Sequence, residues 1–167
     1  MKLKRAVVAL GSNLGDPAGN LQLAISALAG ITQGSIRASS LWRTAPVGFT
    51  GDVPDFCNAV AVIETGLTAE SLLAALQQIE AQMGRIRVEA PTYESRIIDL
   101  DIVDFAGELM AAEGLVLPHP RAHERLFVLL PLREVLPDFR FPGREESLDD
   151  LIRQAPDHPV SQSNRPG

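Results

Sequence analysis

The segment Arg96-Ile-Ile-Asp99-Leu-Asp101-Ile-Val reads as a strand that carries two carboxylates. Strand side chains alternate, so Asp99 and Asp101 share one face while Ile98, Leu100 and Ile102 share the other. Their Cα atoms would lie about 7 Å apart, close enough to hold a pair of divalent cations. Oxygen-only ligation suits Mg²⁺, which takes one or two carboxylates plus substrate phosphates. Two ions about 4 Å apart can clamp both the attacking and the leaving oxygen of an in-line displacement. Two solvated aspartates on the wet face of a half-buried strand would spell the same letters. Asp is a poor strand former, however, and two in a strand centre tilt the reading toward a site.

Arg85, Arg87 and Arg96 surround the segment before this strand, and Arg121 and Arg125 flank a later helix start. A metal–polyphosphate needs that pairing, with carboxylates for the cation and arginines for the remaining oxygens. Capping of a helix C-terminus is an equally physical use for Arg85. Phe56 and Asn58 fall two apart on another strand, and Phe127 could add a second ring. Two rings with one amide between them suit a flat heterocycle, although plain core phenylalanines would look the same. Three features are false leads. His119 and His123 are four apart, but Pro118 and Pro120 break the helical zinc spacing. Cys57 reads as core, and Ser12 in GSNLG is a turn serine rather than the nucleophile of G-x-S-x-G.

Positioning these residues requires a particular order of elements. A strand over 5–10 ends at the turn GSNLGD, and a helix over 18–29 ends at Gly30. Strands follow at 35–44 and 56–65, separated by the Pro- and Gly-containing loop 45–54. Thr68 caps a helix that runs to Gly84, with Leu72, Leu76, Ile79 and Met83 on one face. A polar loop over 85–95 leads to the aspartate strand at 96–105, and GELMA (107–111) is expected to turn back on it. A proline-broken loop, a helix over about 121–135 and a short helix over 147–154 complete a single domain at 1–154. Residues 155–167, rich in Pro and Ser, are expected to be a disordered tail. The order βαββαβ matches the ferredoxin-like α+β plan, an antiparallel sheet with both helices on one face and here a C-terminal helical extension.

Composition narrows the function. With 167 residues, 46% hydrophobic and 22% charged, the chain reads as one globular domain. It is long enough to bury about 70% of its unfolded surface without disulfides. A single cysteine fits a reducing cytoplasm. The apolar run AVVAL is too short for a signal peptide or membrane span. Net charge is −6, against a nucleic-acid binder. There are 13 arginines but two lysines, Lys2 and Lys4, so no G-x-x-x-x-G-K-[ST] loop exists and the protein-kinase motifs are missing.

Six segments together resemble a known family, the 6-hydroxymethyl-7,8-dihydropterin pyrophosphokinases of folate biosynthesis. They are ALGSNLGD, SSLWRTAPVG, DFCNAV, QQIEAQMGRIR, SRIIDLDIV and LPHPRAHERLFVLLPL, in the family's order over about residues 6–138. The resemblance implies the ferredoxin-like fold and transfer of the β,γ-diphosphate of ATP to the pterin hydroxymethyl oxygen, releasing AMP. It implies Asp99 and Asp101 as ligands of two Mg²⁺, and Arg87 and Arg96 beside them as catalytic residues. Phe56, Asn58 and Phe127 match the pterin pocket, with Thr44, Pro46 and Val47 closing one side. Gln77, Glu80, Arg85, Arg87, Arg96, Ile102, His119 and Arg125 match nucleotide-contacting positions. By the same analogy the segments 45–54 and 85–95 close over bound substrates. The partners implied are ATP and the pterin, with no nucleic acid and no membrane, and the chain is read as a monomer.

Some residues depart from the family's pattern. A small residue and proline usually precede the motif arginine, often after tryptophan, where this chain has Tyr93-Glu94-Ser95-Arg96. Glu94 sets a negative charge beside a polyphosphate site. Ala45 stands for a frequent proline, Val47 for a leucine and Phe56 for a tyrosine. Two alternatives stay open: a paralogue that binds pterin or nucleotide without transfer, and a ferredoxin-like interaction domain with solvated aspartates.

Overall fold

The computed structural model describes residues 2–44, 55–84, 97–156 and 160–162. Strand β1 (Lys4–Ser12) is followed by α1 (Pro17–Gly30), β2 (Ile36–Ala38), β3 (Trp42–Thr44) and β4 (Phe56–Thr65). Next come α2 (Ala69–Gly84), β5 (Asp99–Phe105), β6 (Met110–Ala112) and β7 (Leu115–Leu117). A 3-10 turn (Ala122–Glu124), α3 (Leu126–Val135), α4 (Leu148–Gln154) and β8 (Val160–Gln162) complete the order.

The main sheet runs β5-β1-β4-β3-β8, with β2 also paired to β4, and every pairing is antiparallel. This is the ferredoxin-like arrangement. β1 and β4 are central and buried on both faces, which explains their nearly unbroken apolar runs. Ala6, Val8, Leu10, Ala59, Ala61, Ile63, Leu100 and Ile102 face α1 and α2. Val7, Val60, Val62 and Val103 face α3 and α4 on the opposite side.

Local signals act where the sequence places them. Asp16 caps α1 by accepting from the Gly19 N–H at 3.2 Å, ahead of Pro17. Thr68 Oγ1 accepts from Ser71 N–H at 3.1 Å at the start of α2. Ser147 and Asp150 form a reciprocal capping box on α4.

Tertiary packing alters four expectations. The strand at 35–44 is two strands: the Ser39 N–H still donates to the Val60 carbonyl at 2.8 Å, but the Val60 N–H donates to Ser39 Oγ at 3.0 Å instead of to a backbone carbonyl, which ends the β2 ladder there. β6 turns back on β7 in a separate hairpin rather than on β5. The helix at 121–135 begins with a 3-10 turn, and Arg125 is extended between the two. In the C-terminal tail, Val160–Gln162 pair with β3 as β8. The segments 45–54 and 85–95, and with them Pro46, Val47, Arg85, Arg87, Glu94 and Arg96, lie outside the described residues.

Candidate active site

On the α3 face of the sheet, the apolar packing of Val7, Val60 and Val62 gives way toward one end to a cavity of about 460 Å³. That volume suits a small ligand. The strand register builds its floor. Gly11 lies opposite Asp99 on β5 and opposite Asn58 on β4, and Ala9 lies opposite Asp101. Strands about 4.8 Å apart therefore set Asp99 and Asn58 roughly 10 Å from each other, with a glycine between. A Cβ at Gly11 would come 3.2 Å from Asn58 Oδ1, so the small residue keeps the space over the floor clear.

Asn58 is buried and donates from Nδ2 to Thr44 Oγ1 at 2.7 Å, which directs Oδ1 over Gly11. Phe56 and Thr44, paired at the ends of β4 and β3, form one wall. Phe127, from the first turn of α3, forms the facing wall, and the Arg125 guanidinium lies 5.6 Å from its ring centre. Asp99 and Asp101 line the opposite end, while Ile98, Leu100 and Ile102 are buried on the far face, as alternation requires.

His119, Arg121 and Arg125 line the same cavity as the aspartates. The His119 N–H donates to the Val103 carbonyl at 2.9 Å, docking this segment on β5. Its Nδ1 accepts the Arg121 backbone N–H at 3.1 Å, so the ring proton sits on Nε2. Burial, then the Arg125 charge, pushes the imidazole pKa below its ordinary value despite Asp99, leaving a neutral ring with an Nε2–H donor at pH 7.

Of the residues singled out in the sequence, Thr44, Phe56, Asn58, Asp99, Asp101, His119, Arg125 and Phe127 converge on this cavity. Gln77 and Ile102 do not reach its wall. Gln77 is exposed on α2, and the Ile102 side chain is buried in the opposite core. Glu80 is tied to β5, its Oε2 accepting the Leu100 N–H at 2.7 Å between the two aspartates. The sequence reading left out Gly11, Glu124 and Pro156, and noted Arg121 without placing it in the site, yet all four line the cavity. Arg121 and Glu124 form an i,i+3 pair at 3.6 Å, a spacing visible in the sequence. Nothing local announces Pro156.

Among the described residues no cluster of three or more His, Cys, Asp or Glu could hold a metal. Two hard carboxylates on one face, opposite Gly11 and Ala9, fit Mg²⁺, which completes its shell with water and phosphate oxygens. No helix among the described residues is long and apolar enough to cross a membrane.

Residues 7–137 match the family model described as 7,8-dihydro-6-hydroxymethylpterin-pyrophosphokinase. The chain is 37% identical over 160 residues to a 2-amino-4-hydroxy-6-hydroxymethyldihydropteridine pyrophosphokinase of Haemophilus influenzae, covering 95% of this chain and 98% of that one. It is 42% identical over 133 residues to the enzyme of that name from Bacillus subtilis, covering 78% and 77%. Its fold is similar to a crystal structure of wild-type Plasmodium falciparum HPPK-DHPS with pteroate, with a TM-score of 0.71, 16% identity, and coverage of 92% of this chain and 42% of that longer one. A domain-length match of sequence and fold, over a cavity with an aspartate pair at one end and two rings at the other, places this chain in the 7,8-dihydro-6-hydroxymethylpterin pyrophosphokinase family, as an ATP-dependent diphosphotransferase of folate biosynthesis.

Proposed function

We propose that the cavity over Gly11 is where diphosphate passes from ATP to the pterin. The row Asp99–Gly11–Asn58 carries this reading, because it spaces a cation-binding end from a ring-binding end across one open floor. Phe56 and Phe127 stack on the pterin faces, and Asn58 Oδ1 accepts from its N–H edge, with Thr44, Pro46 and Val47 on that side. Held this way, the hydroxymethyl oxygen points along the row toward Asp99, in line with the phosphate it attacks.

Asp99 and Asp101 are assigned two Mg²⁺. Bound there, the ions would offset charge on the diphosphate. Arg121 and Arg125 bind phosphate oxygens, joined by Arg85, Arg87 and Arg96, of which Arg87 and Arg96 are assigned to the transferring group. The neutral His119 donates its Nε2–H to a phosphate oxygen without contributing a positive charge that titrates. α2 packs beside the outer strand β5, which supports assigning the nucleoside end to Gln77 and the backbone of Ile102. Glu80 acts there through the Leu100 N–H, holding the strand that carries both aspartates. A loose phosphoryl-transfer transition state needs little help from a general base, so positioning and charge are the main contributions of these residues. Family membership does not favour the non-catalytic alternative.

The test is AMP release from ATP and Mg²⁺ with and without 6-hydroxymethyl-7,8-dihydropterin, with mass detection of the pterin diphosphate. Asp101→Ala should abolish pterin-dependent AMP while retaining the native circular dichroism and melting transition. Near-normal turnover by the folded variant would remove the metal role from this pair.

A further inference from the structure

Glu134 sits in the last turn of α3, where a carboxylate opposes the helix dipole. Its neighbour Arg133 has the sign that suits that end. The position of Glu134 is explained across the cavity wall rather than within its helix. Oε2 accepts the Ser40 backbone N–H at 2.9 Å, and the Ser40 hydroxyl lies 2.7 Å from Oε1 and 2.8 Å from Oε2. Oε1 also accepts the Trp42 indole N–H at 3.1 Å. One side chain thus gathers three donors, two from Ser40 between β2 and β3 and one from Trp42 at the start of β3.

These contacts join the two elements that form the facing walls of the ring-binding end. Trp42 and Thr44 share a face of β3, about 7 Å apart. Phe127 and Glu134 are seven residues apart on α3, sharing a face about 10 Å apart along the axis. Between them, Pro131 has no N–H to give the Phe127 carbonyl, so the first turn lacks one bond to the rest of its helix. Leu126–Val135 nonetheless form one continuous helix, so Phe127 moves with α3 and Glu134 seats that helix on β3.

We propose that Glu134 is a positioning residue for the pterin end of the cavity, setting the gap between Phe127 and the Thr44–Phe56 wall through Ser40 and Trp42. This rests on assigning that end to the pterin. Glu134 touches no substrate, and its effect is specific to one of the two.

The experiment compares wild type with Glu134→Ala, Glu134→Gln and Phe127→Ala, reading KM for each substrate, kcat, melting temperature and tryptophan emission. Trp42 is the only tryptophan, so its emission reports directly on loss of the contact. Glu134→Ala should raise the pterin KM about fivefold to tenfold, the scale of one net hydrogen bond, and leave the ATP KM within about twofold. Glu134→Gln, which keeps one carbonyl acceptor, should fall between Ala and wild type. Unchanged pterin constants in Glu134→Ala despite shifted emission would overturn the proposal, as would both KM values rising together with a lowered melting temperature. Phe127→Ala keeps the two readings apart. If it leaves the pterin KM unchanged, the assignment of this end fails; if it raises the KM while Glu134→Ala does not, only the role of Glu134 fails.

Discussion

Gly11→Ala is the sharpest perturbation of the cavity floor, because it should move stability and binding in different directions. Gly11 has no left-handed φ, so alanine meets no backbone strain there. Replacing glycine within a strand reduces the entropy lost on folding, worth about 0.5–1 kcal/mol. The new methyl, however, lies 3.2 Å from Asn58 Oδ1, tighter than ordinary contact. Asn58 cannot swing away freely, since it is buried and held at 2.7 Å to Thr44 Oγ1. It must stretch that bond or leave its rotamer by a few tenths of an ångström. Either costs about 1 kcal/mol, which is roughly a fivefold loss in affinity. The side chain that moves belongs to the end proposed for the pterin, so the pterin KM should rise about fivefold while the ATP KM stays near wild type. Both constants come from AMP release at saturating co-substrate, alongside thermal melts of the two proteins. Gly11→Val should deepen the same pattern. If the pterin KM is unchanged in both variants, or if the ATP KM rises equally, the floor does not separate the two substrates as argued.

Three further tests address other parts of the molecule. Asp104 is buried, with Oδ2 accepting the Gly107 N–H at 3.2 Å and Oδ1 without a hydrogen-bond partner among the described residues, and burial raises its pKa above the ordinary carboxylate value. Stability linked to this proton is fully present below the unfolded pKa and is lost as pH rises through the raised folded value. Wild type should therefore gain stability relative to Asp104→Asn between pH 7 and about pH 4; a constant gap in urea unfolding across that range would refute this. Removing residues 155–167 takes away Pro156 from the cavity and β8 from the edge of β3. The pterin KM should rise about threefold to tenfold, and a cut after Pro156 should restore part of it if the wall residue matters as well as the strand. The family resemblance sets the Glu94 charge beside the polyphosphate, so Glu94→Gly should lower the ATP dissociation constant in calorimetric titration, and an unchanged or weaker constant would sink that argument.

The sequence by itself was enough for whatever depends on spacing along the chain. Period-two alternation put Asp99 and Asp101 on one face and Leu100 and Ile102 on the other. Asp16, Thr68 and Ser147 announced helix starts that the folded chain uses. The βαββαβ order followed from the same local periods, and six ordered segments carried the family. What spacing could not settle is which residue stands beside which on a neighbouring strand. That Gly11 separates Asp99 from Asn58 is a matter of register, chosen by burying both faces of β1 at once. That the tail supplies β8 depends on β3 having an unpaired edge, which no stretch of tail sequence encodes. Pro156 in the wall and Glu134 reaching Ser40 and Trp42 likewise arise from elements distant in the chain meeting in space. Local periods are set by backbone geometry, whereas neighbours across a sheet or between layers are set by the burial that the whole chain achieves together.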